Sequence, residues 1–300
     1  MRLLTGEGKL AMPMKDRDTG PTIRKAHGSG RWFPGTERAL REDVAEAVEN
    51  ATLPAGGGRV VSGIAPHAGY AYSGHVAGHT FRAARDGAAP GYEPEIVVIL
   101  GFSHSESFRG VALMDGDAIE TPLGRAALDR DAADLLKRDT AVIVDDYERH
   151  IDEHSAENEI PFAQYAFPGV PLVVGLVNGH DEQVQHDVVD ALRALEAQRR
   201  VLLIASSDML HDSNYEHVRA TDAATLAHLE AMNIEELKRT WRPSHQTLCG
   251  VEPVSIAAAF AASLGCKEGA VLCYANSGDD RPESRHEWNV GYGSVVFVVS

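Results

Sequence analysis

Three hundred residues, 44% hydrophobic and 24% charged, describe an ordinary globular chain, long enough for one large α/β domain or two small ones. The 28 basic and 44 acidic residues leave a formal charge of −16, which argues against electrostatic binding to nucleic acid or an anionic membrane. There is no apolar run of membrane-spanning length and no secretory signal at the start, and the sparse set Cys249, Cys266 and Cys273 is no disulfide framework, so a cytoplasmic location is expected.

Residues 1–29 are rich in Gly, Pro, Lys and Asp without periodicity and read as an irregular arm; residues 30–300 read as a single domain. GRWFPG (30–35) puts Trp32 and Phe33 before a Pro-Gly turn, so this piece is expected to dock on the domain. A Thr-capped helix follows over 36–51, then a glycine-rich loop to 59. RVVSGIA (59–65) reads as a buried strand, 73–84 as a helix capped by Ser73, and EIVVILG (95–101) as the clearest strand in the chain. Further helices are expected over 129–139, 181–200, 217–231, 233–241 and 251–264, and further strands over 171–177, 201–208, 270–277 and 293–300. Strands alternating with helices predict a three-layer α/β/α fold with a mixed, mostly parallel central sheet, the last strands antiparallel.

In such a sheet ligands gather where the strand carboxyl ends converge. His67 in APHAGYAYSG, His104 in ILGFSH and the run Ser206, Ser207, Asp208, His211 in SSDMLH all follow buried strands. His67 is either a metal ligand at a tight Gly turn, with Tyr70 and Tyr72 lining a pocket, or a structural histidine. His104 is either a ligand delivered by a rigid strand or a loop residue. Asp208 can orient the His211 imidazole, which makes His211 a candidate ligand or general base. No GxSxG elbow exists, so a serine hydrolase is disfavoured. EHSAENEIPF (153–162) places His154 and Glu157 three apart: either a ligand or proton relay, or a helix start capped by Ser155 with Asn158 and Glu159 exposed. Cys249 in TLCG precedes a helix, where a thiol pKa falls; the other reading is a small buried hydrophobe. His75 and His79 read as helix-surface residues, and Cys266 and Cys273 as core.

The motifs APHAGYAYSG, ILGFSH, TPLG, EHSAENEIPF, IASSDMLH, TLCG and YANS, in this order, resemble the Memo family, whose prokaryotic members are called AmmeMemoRadiSam system protein B. The resemblance runs from GRWFPG to NVGYGSV. Phe102, Met209, Leu210, Asn158 and Glu159 depart from the side chains usual in those motifs. The family resembles the LigB-type class III extradiol dioxygenases in fold, which hold Fe(II) with two His and a carboxylate. Carried over by motif, His67, His104 and Cys249 are the metal ligands, and His211 with Asp208 falls where those enzymes keep their acid/base histidine; His154 borders the same pocket. The cofactor so implied is a redox metal, Fe(II) or copper, with zinc as a third option. The resemblance implies a metal-binding, redox-active protein of unnamed substrate. Its rival is a non-catalytic module that uses the old pocket for a peptide or protein, since animal members are associated with phosphotyrosine-peptide binding. The family name implies a functional link to a radical SAM protein and an AMMECR1-like protein.

Overall fold

The continuous apolar runs of the sequence become neighbours in one sheet. The computed structural model describes residues 20–53, 57–87, 91–242, 244–279, 283, 285 and 287–299. In chain order the elements are β1 (Ile23–Lys25), α1 (Glu37–Glu49), β2 (Arg59–Ala65), α2 (Tyr70–Asp86), β3 (Ile96–Phe102), β4 (Gly110–Leu113), β5 (Ala118–Thr121), β6 (Gly124–Ala127), α3 (Arg130–Lys137), β7 (Ile143–Asp145), α4 (Ile160–Ala166), β8 (Leu172–Asn178), α5 (Glu182–Glu196), β9 (Val201–Ser206), β10 (His211–Asp212), α6 (Tyr215–Glu230), α7 (Ile234–Thr240), α8 (Val251–Ser263), β11 (Gly269–Asn276) and β12 (Asn289–Val299).

Strands β2, β9, β3 and β8 lie parallel in that order at the centre of a nine-stranded sheet. Antiparallel pairs flank them: β12 against β2 on one side, with β10 and β11 on β12, and β4 against β8 on the other. A small second sheet pairs β1, β5 and β6. Successive side chains of a strand face opposite sides. Accordingly Ile96, Val98 and Leu100 enter a core covered by α3, α5, α6, α7 and α8, while Val97 and Ile99 enter another covered by α1, α2 and α4. The result is the expected three-layer α/β/α arrangement, with parallel strands at its centre, antiparallel pairings on either side of them, and β7 parallel to β4 at one edge.

Several local expectations are corrected. Residues 1–19 of the supposed irregular arm lie outside the described residues, but Ile23–Lys25 form a strand paired with β5. Helix α2 begins at Tyr70, because Gly69 takes the cap position and the Ser73 hydroxyl donates instead to Ala68 O at 3.0 Å. Ser155 caps no helix: its hydroxyl exchanges hydrogen bonds with the Phe102 backbone. Asn158 and Glu159, expected exposed, are fully buried. Gly101 allows this approach, since a Cβ there would meet Ala156 N and Ser155 Oγ at 2.5 Å. Among the described residues no helix is long and apolar enough to cross a membrane.

Candidate metal centre

The carboxyl ends of β2, β3 and β9 deliver one side chain group each to a common point. Past β2 the chain turns at His67, and the turn is held from two sides. Asp208 Oδ1 accepts the backbone N–H groups of His67 and Ala68 at 2.8 and 3.2 Å. Asn158 Nδ2 donates to His67 O at 2.6 Å. The His67 ring is therefore fixed before any ligand arrives. Its Nδ1 meets Ser206 Oγ at 3.0 Å, and that hydroxyl donates to Glu159 Oε1 at 2.8 Å. Burial pushes the Glu159 carboxyl up to about 8. The other ring nitrogen, Nε2, lies 3.3 Å from Cys249 Sγ.

His104 leaves β3 against a second carboxylate. Glu153 accepts the His104 backbone N–H at 2.6 Å through Oε2, and Oε1 meets ring Nδ1 at 3.0 Å. A carboxylate can only accept, so Nδ1 carries the proton and Nε2 is left to face inward. Asp152, with a φ of 63°, supplies the left-handed turn that precedes Glu153. Burial disfavours charge on His104, but hydrogen bonds to Cys249 and Glu153 outweigh it and raise the imidazole to about 10. Burial likewise acts upward on Glu153, yet the bonds from His104 bring it down to about 2.

Cys249 reaches the same point from the turn before α8. Its Sγ accepts the Asp208 backbone N–H at 3.1 Å. Burial pushes the thiol up, but the charge of His67 and the hydrogen bonds of both imidazoles prevail and lower it to about 6. A thiolate is the form that binds metals. The ligand atoms of His67, His104 and Cys249 all lie within 4.8 Å of one another, a group able to hold a metal ion. Two imidazoles with their outer nitrogens engaged and one thiolate suit such an ion.

The surroundings form a well. Its floor, His67 and Cys249, is buried, whereas the His104 and His211 side chains are each 36% exposed. His154 forms a wall, its ring stacked on Trp32 at 3.9 Å and on His104 at 4.9 Å. Burial and the neighbouring imidazoles His67 and His104 hold it down at about 3, so it is neutral. His104, Glu153 and His154 form a second, overlapping group with metal-ligand spacing. His211 Nε2 stands 4.0 Å from Asp208 Oδ2, too far for a hydrogen bond. Asp208 thus acts mainly on the His67 backbone, with its second oxygen turned toward His211. Burial keeps the His211 imidazole below its usual value, Asp208 opposing.

Other named candidates lie elsewhere. Tyr70 is buried, donating to Asn158 O at 2.7 Å and packing on Phe33 and Phe162, and it lines a separate pocket between α1 and α2 rather than the metal centre. His75 is exposed and His79 half-buried on α2, Cys266 is in the core, and Cys273 is half-buried in β11. Sequence reasoning missed Glu153, although it adjoins His154, and it did not anticipate Glu159 beneath Ser206. It noted Trp32 only as a docking residue.

The Memo-like protein family matches residues 24–296. A MEMO1 family protein of Methanothermobacter thermautotrophicus is 34% identical over 268 residues, covering 86% of this chain and 94% of the relative. One of Methanopyrus kandleri is 33% identical over 240 residues, 78% of this chain and 82% of the relative. Another, from Aquifex aeolicus, is 33% identical over 78% of this chain and 85% of its own.

Proposed function

The chain belongs to the Memo family, and from that premise we propose that the well binds a redox-active metal ion, iron or copper ahead of zinc, and works on a small molecule entering past the exposed rim. The observation that carries this is the spacing of two imidazoles and a thiolate within 4.8 Å. A mixed nitrogen and sulfur set favours softer ions than the histidine and carboxylate set of non-haem iron sites.

His67, His104 and Cys249 would hold the ion, which when bound supplies a one-electron couple or a Lewis-acid centre. Glu153 fixes the His104 tautomer and Ser206 steadies the His67 ring, so both present Nε2 inward. His154 stays neutral and, with Trp32, screens one side from water. His211 is a base at the rim: its Nε2 has no hydrogen-bond partner among the described residues, and Asp208 stabilises the charge it gains on taking a proton.

The test is anaerobic metal loading of wild type, Cys249→Ser and His67→Ala, with folding checked by circular dichroism. The expected result is one ion per wild-type chain, lost in both variants, and metal-dependent oxygen consumption. A wild-type protein that takes up neither iron nor copper sinks the reading. Zinc uptake with no redox response would turn it toward hydrolysis, and peptide binding that survives in both variants would turn it toward a recognition module.

A further inference from the structure

A second polar cluster lies at the same sheet edge, beyond the carboxyl end of β8. There α5, α7 and α8 enclose a cavity of about 420 Å³, within the range of small-molecule sites. It shares no lining residue with the metal centre. Val184, Ile256 and Trp241 form apolar walls. The Trp241 ring is held in place by its Nε1–H, which donates to Leu248 O at 2.9 Å, and by the His180 ring 3.9 Å away.

Two buried polar side chains line this apolar space without adequate partners. Ser255 is 2% exposed and its hydroxyl has no hydrogen-bond partner among the described residues. Glu252 is 9% exposed, its Oε2 is equally unpartnered, and its only ion pair among the described residues is with the half-exposed His180. Native interiors rarely leave such atoms unmatched. Among the described lining residues, Lys238 is the one other cation. Lys238 at the rim pairs with Glu235 at 3.7 Å, and Arg109 is engaged by Asp181 at 2.6 Å.

The geometry points to a binding site for a small organic amine, its ammonium donating to Glu252 and Ser255 and its hydrocarbon or aromatic body lying on Trp241 between Val184 and Ile256. An ammonium carries three donors and no acceptor, which matches one carboxylate and one hydroxyl oxygen. The indole face adds attraction for the same charge. A carboxylate or phosphate ligand would instead meet Glu252 with like charge.

The test is calorimetric titration of the full chain with 2-phenylethylamine, 2-phenylethanol and phenylacetate. The amine is expected to bind saturably at one site, and the alcohol and the anion at least about tenfold more weakly. Glu252→Gln should weaken the amine about tenfold or more, Ser255→Ala by less, and Val184→Trp should abolish binding by filling the cavity while leaving both polar partners in place. Metal uptake at Cys249 should not change in Glu252→Gln or Ser255→Ala, which keeps this inference separate from the proposed function. No saturable amine binding up to ~1 mM, equal affinity for the alcohol, or undiminished binding in both Glu252→Gln and Val184→Trp would overturn it.

Discussion

Two polar clusters sit on the same edge of one sheet, and they differ in how their buried atoms are matched. Around His67, His104 and Cys249, the outer ring nitrogens, the thiolate and the turn amides meet Ser206, Glu153 and Asp208. Around Glu252 and Ser255 the apolar walls Val177, Val184, Trp241, Val251 and Ile256 stand beside Asp181, Glu182, Gln185 and Lys238, and among the described residues a carboxylate oxygen and a hydroxyl lack partners. The first region is stiffened by its own chain and presents a gap of ionic size. The second is roomy, and its missing hydrogen-bond partners have to come from a guest. Preorganisation by the protein suits an ion that demands fixed geometry, while unsatisfied polar atoms in an apolar cavity mark a place where a larger ligand completes the network.

Three substitutions probe that contrast. The largest effect is expected from Asp208→Ala, which orphans the amides of His67 and Ala68. It should lower stability by about 3 kcal/mol in urea unfolding. A loss under about 1 kcal/mol would show that the metal region is not stiffened from this side. Next, Glu153→Gln should weaken metal binding about 10- to 100-fold with little change in fold, read by competition with a chelator. Unchanged affinity would mean the His104 tautomer needs no anchor. The smallest effect concerns the second region. Burial raises Glu252 to about 7, above the ordinary glutamate value of 4.5 expected in the unfolded chain. An acid raised on folding costs nothing below the unfolded value and destabilises progressively as pH climbs to the folded one. Wild type should therefore lose about 1–2 kcal/mol between pH 5 and 7 that Glu252→Gln retains, with His180, Lys238, Asp181 and Glu182 the other charged or titratable groups lining the site. Parallel pH profiles for the two proteins would show that the carboxylate is already satisfied.

Much of this architecture was readable in the chain. The buried strands announced themselves as apolar runs, and the histidines placed just past them, His67 and His104, do converge with Cys249. Strands β4 to β7 did not announce themselves, because pieces of three or four residues such as GVAL and IVD carry no usable period. In the sequence, helix α4 is only one reading of 153–162, with its cap misplaced on Ser155, because its seven residues IPFAQYA are buried nearly all round and open without a side-chain cap. The polar Asn158 and Glu159 looked exposed because composition cannot reveal partners supplied through space. Asn158 faces His67 across 91 positions and Glu159 faces Ser206 across 47. Glu153 escaped notice for the same reason, its partner being 49 positions away.

The sulfur of Cys249 and the imidazole of His67 are 182 positions apart in the chain. An unfolded polymer cannot keep such distant donors together, so an ion bridging them would be captured by the native state almost exclusively. It would then behave as a reversible cross-link across more than half the molecule, and the melting temperature would climb with free ion concentration by mass action. Thermal shift against a graded chelator buffer becomes, for this fold, a direct meter of occupancy.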